Sequence, residues 1–124
     1  MQKLVADHMR PEARRDPDGV DAARATLLTA YAMLEKSLAK GGWAGGPDFG
    51  IADCAAAPAL FYAGVLEPFD SYPQVLAYFD RLCVRPSFVR TIKEAQPYFR
   101  LFPLHDRLAP RFLDADAQSF ARTP

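Results

Sequence analysis

From Gly50 to Ala63 the chain carries a single charge, Asp53, among apolar or small residues. A helix with that pattern has no polar face to turn to water, so it has to be buried on all sides and form the centre of the fold. Pro58 falls inside the same segment. It removes the amide that would pair with the Cys54 carbonyl, at a cost of about 3 kcal/mol, so the sequence predicts a kinked helix held by strong packing around it.

The remaining segments supply helices to surround that centre. The 21 alanines outnumber the 12 β-branched residues, and alanine favours helix where β-branched residues favour strand. Asp16-Pro17 is a helix start, with a carboxylate able to accept from the exposed amides and a proline whose missing donor is not needed there. Val20, Leu27 and Leu34, with Ala23, Ala30 and Leu38, form its apolar stripe, and Gly41-Gly42 stops it. Pro73 opens a helix with Val75, Leu76, Phe79, Leu82 and Cys83 on one side. Pro86 ends that helix and starts another, along which Phe88, Ile92 and Ala95 align before Pro97. Leu4, Val5 and His8 share a face of a first helix that begins without a capping residue, and Arg10 to Arg15 reads as a solvated link. The expectation is an all-α bundle of about five helices in one domain over 1–124, with a helical core over 1–103 and an irregular tail over 104–124 that wraps the surface or frays.

Composition narrows the function. Fifteen basic residues balance fifteen acidic ones, which leaves no electrostatic footprint for nucleic acid or an anionic membrane and no basic recognition helix of the helix-turn-helix kind. The longest uncharged, mostly apolar stretch, Cys54 to Leu66, is too short to cross a bilayer. Cys54 and Cys83 lack the spacing of a zinc site or a disulfide framework, and the leading residues lack an apolar signal segment, so a reducing, cytoplasmic setting is expected. His8 and His105 have no partner at ligand spacing, and no metal site is expected.

Phe49-Gly50-Ile51-Ala52-Asp53 has the layout of a capping box with a hydrophobic staple. Gly50 is the cap, the Asp53 carboxylate can reach back to its amide, and Phe49 can pack against Cys54. Inside a core an unpaired amide costs about 1 to 3 kcal/mol, which makes such a start valuable. A lone buried carboxylate can also serve as a catalytic acid or base. Its place one turn into a helix favours the structural role.

These residues resemble the C-terminal, all-helical domain of the cytosolic glutathione S-transferases, where the box before the core helix usually reads Ser/Thr-Ile-Ala-Asp. Phe49 to Leu60 is similar to the core helix of bacterial members. Tyr72-Pro73, Phe79-Asp80-Arg81-Leu82 and Arg85-Pro86-Ser87-Phe88 are similar to the two helices that follow. Gly50 departs from the pattern, but glycine is a tolerated cap. The resemblance covers about Met1 to Pro103 and implies glutathione transfer to hydrophobic electrophiles as the family reaction. It implies that this chain supplies the co-substrate pocket and a dimer surface, with Leu4, His8, Tyr98 and Phe102 facing the pocket. No counterpart of the family's thioredoxin-like half, which binds glutathione and activates its thiol, is found here, so the chain alone is expected to hold no cofactor, no catalytic residue and no conjugating activity. The alternative is a stand-alone helical module that pairs with another protein or a second copy.

Overall fold

A computed structural model describes residues 1–114, 116 and 120–122. Among the described residues five α-helices follow one another: α1 (Gln2–His8), α2 (Pro17–Leu38), α3 (Ile51–Leu66), α4 (Pro73–Cys83) and α5 (Pro86–Ala95). Short 3-10 turns at Glu12–Arg14, Gln96–Leu101, His105–Arg107 and Pro110–Phe112 complete the order. Among the described residues there is no strand, only an isolated antiparallel bridge between Trp43 and Gly46.

The helix starts follow local chemistry. Asp16 Oδ1 accepts from the Gly19 amide at 3.0 Å, and proline occupies the first turn of α2, α4 and α5. After α2 the backbone turns left-handed at Gly41 and Gly42, with φ of 77° and 88°. A side chain at Gly42 would also meet the Gly46 carbonyl oxygen at 2.7 Å, so both the angle and the space call for glycine.

The core gathers one side of α2, α3, α4 and α5. Tyr31 and Leu38 of α2, Leu60 and Phe61 of α3, and Val75, Tyr78, Phe79 and Leu82 of α4 are all buried. Two acids reach across sequence to complete helix ends. The Glu35 carboxylate on α2 accepts from the Gln74 and Val75 amides at 3.0 and 2.9 Å, which gives α4 the anion its own first turn lacks. Asp7 of α1 is buried and accepts from the Asp16 amide at 2.9 Å, tying α1 to the start of α2.

Two expectations change. The tail does not fray over its described residues. Leu104, Leu108, Phe112 and Phe120 are buried, Gln96 Nε2 donates to the Phe112 carbonyl at 2.8 Å, and Arg111 Nη1 donates to the Phe120 carbonyl at 2.7 Å. The segment beyond Pro103 therefore closes the core. More consequentially, α3 is not buried on all sides. Asp53, Leu60, Phe61 and Ala63 face inward, while Ile51 is 89% exposed and Ala55, Pro58, Ala59 and Tyr62 also meet solvent. The helix continues through Pro58, but the enclosure expected around that residue is missing on its outer side. The reason is geometric. α1, seven residues and about 10 Å long, packs chiefly against α2 and leaves the outer side of α3 uncovered.

Candidate functional site

Several concavities surround the C-terminal half of α3 and its neighbours. The largest, about 710 Å³, is an apolar groove. Val5 of α1 and Met9 just after it, Tyr62 and Leu66 of α3, and Tyr98 and Phe102 beyond α5 line it. The Tyr62 and Phe102 rings pack with centroids 5.0 Å apart, and Tyr98 is 66% exposed. A groove of this size and lining suits an apolar small molecule held by contact area rather than by a charged anchor.

The four residues singled out from sequence do not meet in one place. Tyr98 and Phe102 stand together in the groove, whereas Leu4 and His8 lie on another side of α1, in a pocket of about 190 Å³ with Asp7, Arg15, Arg24 and Arg107. The side of the first helical segment that does line the groove holds Met1, Val5 and Met9, spaced four apart, with Gln2 and Ala6 beside them. Tyr62 was also missed, because α3 read as wholly interior. The spacing of Met1, Val5 and Met9 was a usable signal, although two helical turns offer too few residues to choose between neighbouring faces.

A second cleft of about 340 Å³ opens between α3 and α5. Its walls include Cys54, Pro58 and Phe61 from α3 and Phe88 and Ile92 from α5, with Arg85 at one end. Tyr62, Ala95 and Phe99 border both this cleft and the groove.

Beside the cleft, the start of α3 is built around a fully buried carboxylate. Asp53 Oδ2 accepts from the Gly50 amide at 2.8 Å, and Oδ1 accepts from the Ala44 amide at 2.8 Å and the Tyr78 hydroxyl at 2.7 Å. Gly50 has no side chain to return the bond, and the Asp53 amide donates instead to the Gly50 carbonyl at 3.1 Å. Burial opposes the charge on Asp53, but the bonds from Tyr78, Gly50 and Ala44 outweigh it and hold the carboxyl below its ordinary range. Burial, reinforced by the same carboxylate, pushes the Tyr78 phenol up. With its oxygens so engaged, Asp53 holds the loop from Ala44 to Gly50 on α3 and α4 and has little capacity left for proton transfer to a ligand. Phe49, next to the cap, stacks edge-on with Trp43 at 5.2 Å and lies under the Arg85 guanidinium at 3.5 Å.

The thiols differ. Cys83 is wholly buried and pushed up to about 12 by desolvation, so it stays protonated and inert. Cys54 is exposed at the wall of the α3–α5 cleft. Among the described residues no group of three His, Cys, Asp or Glu side chains could hold a metal ion, and no helix is long and apolar enough to cross a membrane.

Residues 17–81, just over half of the chain, match a protein-family model described as glutathione S-transferase, C-terminal domain. No curated protein and no solved structure matches the chain.

Proposed function

The chain belongs to the glutathione S-transferase C-terminal domain family, and from that premise we propose that it forms the electrophile-binding half of a glutathione transferase. The groove between α1, α3 and the segment after α5 takes the hydrophobic co-substrate, and glutathione is held and its thiol activated on a thioredoxin-like half. The observation that carries this reading is the groove itself, about 710 Å³ walled by Val5, Met9, Tyr62, Tyr98 and Phe102. Its lining offers apolar area, which supports a role in binding and orienting the electrophile while the thiolate attacks from elsewhere. A cytoplasmic setting suits the two free cysteines.

The test is binding of an aryl halide, 1-chloro-2,4-dinitrobenzene, measured by its displacement of a fluorescent apolar dye. The double substitution Tyr98→Ala and Phe102→Ala removes two ring walls and should weaken binding by about thirtyfold, since each ring that the ligand covers contributes on the order of 1 kcal/mol. Unchanged affinity would overturn the groove assignment, and turnover by the chain alone with glutathione would overturn the division of labour.

One observation favours a second reading, a helical module for protein assembly. The outer side of α3, with Ile51, Ala55, Ala59 and Tyr62, presents apolar surface to water. Sedimentation separates the two readings. Self-association or a stable complex that buries this side supports the module or a dimer surface, while a clean monomer with intact groove binding leaves the electrophile-binding role alone.

A further inference from the structure

The groove and the α3–α5 cleft are separate cavities with one shared wall. Tyr62, Ala95 and Phe99 border both, and the three differ in what holds them. Phe99 is buried and stacked on Phe61 with centroids 5.6 Å apart, so it is a fixed part of the core. Ala95 contributes only a methyl group. Tyr62 is 37% exposed, and its ring packs edge-on against Phe61 at 5.1 Å and against Phe102 at 5.0 Å. Tyr31, Tyr72 and Tyr78 donate their hydroxyls to the Glu67 carbonyl, the Leu28 carbonyl and the Asp53 carboxylate, whereas among the described residues the Tyr62 hydroxyl makes no such bond. An aromatic side chain on a helix has two common χ1 wells, which gives this ring a second position to turn to. Of the three shared residues, Tyr62 is the one able to move without unpacking the core.

The space beyond it continues the chemistry of the groove. Cys54, Pro58 and Tyr62 stand one helical turn apart along α3 and all line the cleft, so the passage from Tyr62 to Cys54 spans two turns, about 12 Å. Pro58, Phe61 and Ile92 give that passage apolar walls. On the near side, no charged side chain lines the groove among the described residues. A compact single-ring molecule needs only the groove. A ring that carries an apolar chain gains by sending the chain past Tyr62, in proportion to the surface that leaves water.

We propose that Tyr62 is a swinging partition that sets the length of co-substrate the chain accepts. Elongated, uncharged electrophiles, an aromatic ring bearing an alkyl chain, seat the ring in the groove and thread the chain past Tyr62 into the cleft. The assignment rests on the groove being the co-substrate site. It adds a selectivity for length that the groove alone does not supply, because short molecules stop at the Tyr62 ring and longer ones gain contact with each methylene that passes it.

The probes are neutral phenylalkanols, from phenylethanol to phenyldecanol. Displacement of the apolar dye reports the groove. The rate of Cys54 alkylation by N-ethylmaleimide, followed by mass spectrometry, reports the cleft, since Cys83 is buried and does not compete. Every member should displace the dye, but only the long ones should protect Cys54, slowing alkylation about tenfold at about ten times their Kd. Tyr62→Ala should extend protection to shorter members, and Tyr62→Trp, a bulkier partition, should remove it from longer ones. Protection by phenylethanol equal to that by phenyldecanol at matched occupancy, or protection by phenyldecanol undiminished in Tyr62→Trp, means that the cleft fills through its own mouth and overturns the proposal. Dye displacement without protection at any length, in the unsubstituted chain and in Tyr62→Ala alike, also overturns it while leaving the groove reading intact. Failure of every member to displace the dye overturns the groove reading and the partition with it. The comparison of lengths in the unsubstituted chain decides the matter even if a Tyr62 variant does not fold.

Discussion

The two sides of α3 are both poor in charge, the inner one holding Asp53 and the outer one none, but they play different parts. Inward, Asp53, Leu60, Phe61 and Ala63 are enclosed, and the lone carboxylate takes hydrogen bonds from three groups. Outward, Ile51, Ala55, Ala59 and Tyr62 carry the same apolar pattern into water. An uncharged helix face is therefore a statement about what the face avoids, and burial within the chain is only one way to satisfy it. The comparison can be broken most sharply at Asp53. Asp53→Ala leaves the Tyr78 hydroxyl without its acceptor in a buried site, and the Ala44 and Gly50 amides without theirs at part-buried ones. At about 1 to 3 kcal/mol for each stranded donor, urea denaturation should show a loss of about 4 kcal/mol or more, close to the whole stability of a small domain. A loss under about 1 kcal/mol would show that water or a backbone shift replaces the carboxylate, and that the inward side is held by apolar packing alone.

The pH dependence sharpens the same point. The folded-state pKa of Asp53 is depressed below the ordinary value of 3.8. Its contribution is therefore fully present above that value and is lost as the pH falls below it through the folded pKa. Unfolding free energy should decline on acidification below about pH 4, and Asp53→Asn, which cannot titrate, should flatten that decline while lowering stability at neutral pH. An unchanged acid slope in Asp53→Asn would assign the acid sensitivity to other carboxylates.

Much of the fold was legible because its signals are local. Asp16-Pro17, Pro73 and Pro86 each mark a helix start, and the apolar stripes of α4 and α5 report most of their buried sides, whereas on α2 the stripe includes the exposed Ala30 and leaves out the buried Tyr31, as the α4 stripe leaves out Tyr78. The carboxylate at the start of α3 was readable for the same reason. Long-range completions were not. Nothing in the first turn of α4 announces that Glu35, 39 residues before Gln74, will accept from its amides, nor does the sequence around Asp7 indicate that it holds the Asp16 amide. Tyr78, the third donor to Asp53, sits 25 residues away on another helix. The candidate site was half legible. Tyr98 and Phe102 reach the groove, but α1 is too short for periodicity to decide that Val5 and Met9, rather than Leu4 and His8, face it. The exposed outer side of α3 was misread because composition records the absence of polar residues and says nothing of which neighbour covers them.

Glu35→Ala tests a long-range completion on the inward side. It strips the α4 amides of Gln74 and Val75 of their acceptor at a partly buried helix start, and a loss of about 1 to 2 kcal/mol, read by thermal or urea unfolding, is expected from the usual worth of a capping side chain. Glu35→Gln should recover part of it, since an amide oxygen can still accept one of the two bonds.

The smallest expected effect lies on the outward side, at Ala59. This residue is exposed and touches none of the hydrogen-bonded groups that fix the helix start. Ala59→Glu should change unfolding free energy by no more than about 0.5 kcal/mol, because alanine and glutamate are both good helix formers and the new carboxylate remains in water. Its effect on association should be larger than its effect on folding. A charge placed in the middle of an apolar contact must be desolvated without a partner when that contact forms, so dye binding to the outer side and any self-association should both fall. If Ala59→Glu instead destabilises the chain by several kcal/mol, the outer side is packed in solution and the contrast between the two sides of α3 disappears. If folding and association are both unmoved, the apolar outer side is merely tolerated in water and is no contact surface.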